Sequence, residues 1–151
     1  MQEIEGNIIT IVNRDGGILV HQVNCIPVAG AGIARSIAYT WPSWRDDYMS
    51  RCPILGDAWL HYTKSQDKMC FVAIASIYGQ RNIGQGKQTD YGALGSGLCW
   101  LATQTQNLRW LGPKLYVPVG IGCGLAGGDW NIVRPMIERY LPDAVLVKFT
   151  R

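Results

Sequence analysis

Residues 119–130, reading Val-Gly-Ile-Gly-Cys-Gly-Leu-Ala-Gly-Gly-Asp-Trp, constrain the fold more than any other stretch of this chain. They follow the apolar run Leu-Tyr-Val-Pro-Val at 115–119. They lead into Trp130, Val133, Ile137 and Tyr140, which fall at i, i+3, i+7 and i+10 on one face of a helix. Glycine at 120, 122, 124, 127 and 128 contributes neither packing nor stiffness. It lets bare backbone take positive φ and approach a ligand closely. N–H groups freed in this way converge on an anion, helped by the positive end of the following helix. A long turn without a ligand is the plain alternative. A second loop of the same build weighs against it. Residues 24–34, Asn-Cys-Ile-Pro-Val-Ala-Gly-Ala-Gly-Ile-Ala, again lead from a strand into a short helix, marked by Ile33 and Ile37.

Residues 8–12 (Ile-Ile-Thr-Ile-Val) and 18–23 (Ile-Leu-Val-His-Gln-Val) read as β-branched strands, and the turn at 13–17 between them predicts an opening hairpin. The helix after the first glycine loop should stop near Trp41, because the residue before Pro42 avoids the α region. Ser43 then caps a further helical piece through Met49. Residues 58–63 alternate partly, as in a strand near a sheet edge, and 69–76 are continuously apolar, as in a central strand covered on both faces. The polar loop 78–88 carries Gly79, Gly84 and Gly86 and is expected to be mobile. Thr89 is the expected N-cap of a helix striped by Tyr91, Leu94, Leu98 and Leu101. Gly92, Gly95 and Gly97 each cost that helix up to ~1 kcal/mol against alanine, which points to close packing on the sheet. Strands at 115–119 and 144–149 complete the pattern. Pro135 removes an interior hydrogen bond from the helix begun at Asp129 unless that helix starts late. Strands alternating with helices after a hairpin predict an α/β class with a largely parallel sheet between helices. The length of 151 residues predicts one domain, 1–151.

Composition narrows the function. No apolar run approaches the ~20 residues of a membrane span, and the acidic start Met-Gln-Glu-Ile-Glu lacks a signal peptide's basic and apolar regions. Cysteines at 25, 52, 70, 99 and 123 are odd in number and form no Cys-x-x-Cys pair. Reduced thiols in a cytoplasmic protein, without a zinc site, are the expectation. His21 and His61 are the only histidines, so no metal centre is expected. A net charge of +3, without any run of three basic residues, argues against a nucleic-acid partner. In an α/β sheet both glycine loops lie outside the carboxyl ends of strands, where ligands bind. Two cradles facing one crevice suit two linked phosphates, as in ADP joined to a second sugar.

Asn24 followed by Gly30-Ala31-Gly32-Ile33-Ala34, then Ile121-Gly122-Cys123-Gly124-Leu125, resembles the two ligand loops of a macro domain. The likeness extends to Gly-Asn-Ile at 6–8 and to Trp130-x-x-Val-x-Pro-Met-Ile137, and so runs nearly the whole chain in order. It is nearest to the branch holding ADP-ribose-1''-phosphate phosphatases and the hydrolases that remove ADP-ribose from glutamate or DNA. The resemblance implies a three-layer α/β/α fold around a mixed, largely parallel sheet. It also implies a small-molecule ligand, ADP-ribose or its 1''-derivative, and no cofactor. It places Gly6, Asn7 and Ile8 by the adenine, with asparagine where the family usually carries aspartate. Asn24 falls at the distal ribose, or, as a turn residue, simply caps its own loop. Gly30, Ala31, Gly32, Ile33 and Ala34 fall around that ribose and one phosphate. Gly120, Ile121, Gly122, Cys123, Gly124, Leu125 and Ala126 fall around the diphosphate, and Ser76 opens the segment after the central strand.

The sugar-cleaving members carry a lysine in that segment and, in some, an aspartate in the second loop. Here the segment at 76–81 is Ser-Ile-Tyr-Gly-Gln-Arg, and the aspartate position is Ala126. Asp90, His21 and Asn24 remain as catalytic candidates. Asp90 would be the base and the 30–32 amides the donors that stabilise departing phosphate. Each candidate also has a plain structural reading. Asp90 is favoured by the dipole in a first helical turn, Asp129 as an N-cap, His21 as a core histidine and Cys123 as small packing. The resulting expectation is a hydrolase at the 1''-end of ADP-ribose, an ADP-ribose-1''-phosphate phosphatase acting without metal. A non-catalytic binder of ADP-ribose or a de-ADP-ribosylating glycohydrolase is the alternative, and an interaction protein with no small ligand is a third.

Overall fold

In the computed structural model, which describes residues 1–66, 69–84, 86–106 and 112–151, strands and helices alternate along the chain. Their order is β1 (Gln2–Gly6), α1 (Ile8–Asp15), β2 (Gly17–Asn24), α2 (Gly32–Thr40), α3 (Pro42–Ser50), β3 (Ala58–Lys64) and β4 (Phe71–Gln80). Then follow α4 (Tyr91–Gln106), β5 (Leu115–Pro118), α5 (Trp130–Tyr140) and β6 (Val145–Phe149). The strands form one sheet in the order β1-β6-β5-β2-β4-β3. Every pairing is parallel except β3 with β4. The expected α/β class with a mixed, largely parallel sheet is therefore what the chain builds.

The opening hairpin does not exist. Residues 8–12 are the first part of α1, not a strand. Ile8, Ile11 and Val12 are buried at i, i+3 and i+4, which is helical spacing. Asn7 starts the helix by accepting hydrogen bonds from Ile9 N (2.9 Å) and Thr10 N (3.3 Å). A strong cap and a packed face thus outweigh the β preference of branched side chains. The first strand lies earlier, at β1, whose exposed Glu3 and Glu5 disguise it.

Two apolar clusters cover the two faces of the sheet. On one face α1, α2 and α3 bring Ile11, Val12, Ile37, Trp44 and Tyr48 against Leu19, Val23, Val72 and Ile74. On the other, α4 and α5 bring Leu94, Leu98, Leu101, Val133 and Ile137 against Ile18, Val20, Ala73 and Ile77. The alternation of Val72, Ile74 and Tyr78 with Ala73, Ala75 and Ile77 along β4 is the period-two register of a strand covered on both sides. Three layers result.

Several local expectations shift. β4 starts at Phe71 and runs to Gln80, so it takes in the first three residues of the expected loop. Ser43 lies inside α3 rather than capping it; Trp41 is the N-cap, without a side-chain bond, and Pro42 occupies the first turn. Asp90, not Thr89, caps α4, its Oδ1 accepting from Ala93 N at 2.9 Å. α5 starts at Trp130, so Pro135 does interrupt its bonding ladder, and Asp129 caps it by accepting from Asn131 N.

Candidate functional site

β5 and β2 are neighbours in the sheet, and their exits diverge. The chain leaving β2 runs into α2 on one face, whereas the chain leaving β5 runs into α5 on the other. A crevice opens at such a switch point. It holds a cavity of about 580 Å³ bordered by Asn24, Gly30, Ala31, Gly32, Ile33 and Ala34 from the first loop. Gly120, Ile121, Gly122, Gly124, Leu125 and Ala126 border it from the second. A further chamber of about 350 Å³ is lined by Gly6, Asn7, Ile8, Ile9, Ser36, Val147 and Phe149. The two chambers have Gly32, Ile33, Pro118 and Val119 as common wall. Both volumes fall in or near the usual range for small-molecule sites, roughly 300–1,000 Å³.

The walls present main-chain donors. α2 begins at Ala31 with no side-chain cap, so the first amides of the helix, from Gly32, Ile33 and Ala34, have no acceptor within it. Gly32 adopts φ +59°, and a Cβ there would meet open space, so only the backbone conformation calls for glycine at that position. In the second loop the N–H groups of Gly122, Gly124, Leu125 and Ala126 donate to no backbone acceptor among the described residues. Gly122 combines φ +71° with Gln22 Oε1 only 2.9 Å from where a Cβ would stand. A side chain there is excluded twice over. The loop is pinned by Thr89, whose hydroxyl donates to Gly122 O at 2.6 Å and accepts from Gln22 Nε2 at 3.0 Å. Gln22 Nε2 also donates to Gln80 Oε1 at 2.9 Å.

Asn24 closes β2 at the edge of the larger cavity. The Tyr48 hydroxyl lies within donating distance of Asn24 O (2.9 Å), Asn24 Oδ1 (3.2 Å) and Ile26 O (3.0 Å). Burial pushes the Tyr48 phenol well above its ordinary pKa, so it stays a donor and fixes Asn24 in place. The amide nitrogen of Asn24 has no acceptor among the described residues and is available to the cavity.

The remaining expected site residues border the chambers without serving the expected role, or do not reach them. Ser76 does not reach either chamber: it is wholly buried in β4, where Oγ accepts from Trp44 Nε1 (2.9 Å) and bonds His21 Nε2 (2.7 Å). The Cys123 side chain turns away from the cavity into the core, its Sγ 3.3 Å from Ile121 O. Burial, then Asp129, raises its pKa, so the thiol stays protonated. Asp90 is exposed, caps α4, and borders neither chamber. His21 is among the residues bordering the larger cavity, yet it has no exposed surface, and burial pushes its pKa down to about 3. It is therefore neutral, and its Nδ1 finds no partner among the described residues. The Asn7 carbonyl oxygen, expected to accept from a base, already accepts two helix amides.

Sequence reasoning missed Gln22, Gln80, Tyr48, Ile83 and Gly84, all of which border the larger cavity. It also missed Phe149, whose exposed ring borders the smaller one. Gln22 carried a signal, since with His21 it interrupts an otherwise apolar strand two residues before Asn24. Among the described residues no aspartate, glutamate, lysine or arginine lines either chamber.

No family model and no curated protein matches this sequence. Solved structures do match in three dimensions. The macrodomain of Thermus aquaticus DarG aligns over 99% of this chain and 97% of its own, with TM-score 0.75 and 18% identity. Thermosipho africanus DarTG in complex with ADP-ribose aligns over 89% of this chain and 38% of its own, with TM-score 0.72 and 23% identity. The macrodomain of Mycobacterium tuberculosis DarG aligns over 89% of both chains, with TM-score 0.70 and 22% identity. These likenesses span most or all of the chain at TM-scores of 0.70 to 0.75, and the fold of this chain is that of a macro domain.

Proposed function

We propose that the paired chambers bind ADP-ribose. The adenine would enter the smaller chamber, where the Phe149 ring and Ile9 and Val147 offer apolar contact. The diphosphate would pass between the two loops, and the distal ribose would reach Asn24. One observation carries this reading: amides without a backbone acceptor among the described residues, from Gly32, Ile33 and Ala34 and from Gly122, Gly124, Leu125 and Ala126, border a single cavity. Such donors suit an oxygen-rich anion. The ADP-ribose held by the Thermosipho protein is consistent with it.

Titration calorimetry tests the proposal. Folded protein should bind ADP-ribose with a Kd of micromolar order, about −8 kcal/mol. A Cβ at Gly124 would meet open space, so Gly124→Glu should fold while placing a carboxylate beside the diphosphate. Like charges brought together cost several kcal/mol, so binding should weaken at least ~100-fold. Absence of binding, or equal binding by the variant, would refute the reading.

Hydrolysis at the 1''-end is a second reading, favoured by the Asn24 amide nitrogen, which stands at the cavity edge with no acceptor among the described residues. A neutral amide can orient a water and donate to a departing phosphate, although among the described residues no ionised base lines the chamber to draw off a proton. Phosphate release from ADP-ribose-1''-phosphate is therefore expected to be slow. It should exceed that of the Asn24→Ala variant at least ~10-fold, since one lost donor at a reacting centre typically costs 10²–10³. Tight binding of that compound with no release above the variant would leave the chain a binder only.

A further inference from the structure

Ser43, His61 and Asp47 meet on the side of α3 and β3, and none of them borders either chamber. Asp47 Oδ2 lies 2.8 Å from His61 Nδ1, and His61 Nε2 lies 2.9 Å from Ser43 Oγ. A hydroxyl on one imidazole nitrogen and a carboxylate on the other is the arrangement that activates a serine. With Nδ1–H donating to Asp47, Nε2 is left as the acceptor for the Ser43 proton. Asp47 is held from its other side by Arg51, whose Nε lies 2.8 Å from Oδ1. Burial alone would raise the Asp47 carboxyl. The hydrogen bonds and charges of Arg51 and His61 outweigh it and hold the pKa below the ordinary carboxylate value, so the acid stays ionised.

The surroundings suit a nucleophile. Ser43 is exposed, whereas the His61 and Asp47 side chains keep only 14% and 25% of their surface, so the base is sheltered and the hydroxyl is not. Ser43 stands in the first turn of α3, after Pro42, which has no N–H. The amide of Trp44 is taken by Trp41 O at 2.9 Å, but that of Ser43 has no backbone acceptor among the described residues. It is available at the positive end of the helix to a developing oxyanion. Joining α3 to β3 would need only one of the two bonds to His61. Orientation from both ends is what proton transfer requires.

We propose that Ser43, His61 and Asp47 form a second site, separate from the crevice, that hydrolyses small carboxylic esters. Ser43 Oγ attacks the ester carbonyl carbon while its proton passes to His61 Nε2. His61 returns that proton to the leaving oxygen, the carbon–oxygen bond breaks, and the alcohol departs. Water then attacks the acyl-serine by the same route, releasing the carboxylic acid and restoring Ser43. Ser43 is exposed and none of the four described cavities is bordered by Ser43, His61 or Asp47, so the substrate is an ester whose carbonyl projects freely.

The test uses an alkyl fluorophosphonate, which forms an oxygen–phosphorus bond to an activated serine and expels fluoride, with the intact chain as reagent. Mass mapping should place the label on Ser43. Ser43→Ala and His61→Asn should abolish it, and Asp47→Asn should slow it at least ~10-fold. Hydrolysis of p-nitrophenyl acetate should fall in parallel in all three variants, while thermal melting reports that each is folded. No label on Ser43 in the wild-type chain, or undiminished labelling in folded His61→Asn, would overturn the proposal and leave the cluster a tie between α3 and β3. If His61→Asn fails to fold, the wild-type label position and the exposed Ser43→Ala variant still decide.

Discussion

His21 shows how one buried side chain sets a pH limit on the whole chain. In the unfolded chain its imidazole takes a proton near the ordinary value of 6.5, but burial holds the folded value down to about 3. The folded state therefore refuses a proton that the unfolded state accepts. The stability this protects is fully present above pH 6.5 and is lost as pH falls from there toward 3, at about 1.4 kcal/mol per unit. Urea unfolding should show roughly 2 kcal/mol less stability at about pH 5 than at about pH 7 from this group. His21→Gln, which keeps a donor for Ser76, should flatten that slope by one proton, and an unchanged slope would show that His21 titrates normally. Residue roles were the least legible part of the sequence. Asp90 and Ser76 look chemical because they are polar and near glycine loops. Yet the partner that decides each role comes from elsewhere: Ala93 N for Asp90, and Trp44 and His21 for Ser76.

At the scale of elements, helix α4 shows two opposed effects of glycine. Replacing Gly97 by alanine gains up to ~1 kcal/mol of helix propensity. Its Cβ, however, would run into Ile77 Cγ2 and crowd Cγ1 at 3.1 Å across the helix–sheet contact. Overpacking of this kind costs about 1–3 kcal/mol, so the clash wins. With a central net loss of about 1 kcal/mol, Gly97→Ala should lower the melting temperature by about 2–4 °C, and a raised melting temperature would show that the contact has slack. The glycines of this helix, its Leu94-Leu98-Leu101 stripe and the doubly apolar β4 were readable because period and burial agree there. The first fifteen residues were not, because the branched side chains at 8–12 satisfy a strand's preference and a helix's spacing at once. Only the Asn7 cap and the three buried contacts decide between them.

For the whole molecule, the site is legible to the extent that it is made of backbone. Two strand–glycine–helix loops in the sequence predicted a shared crevice. The sheet delivers it by setting β2 beside β5 with their following helices on opposite faces. The side-chain floor of that crevice, Gln22 and Gln80 with Thr89, was hidden because its members lie 58 and 67 residues apart in the chain. Among the described residues only neutral groups line the two chambers. An anion held by dipoles alone displaces no bound ions when it docks, and short contacts with neutral amides are little affected by ionic screening. Occupancy would then follow the shape of the guest rather than the saltiness of its surroundings, so that a briny and a dilute medium would fill the pocket alike.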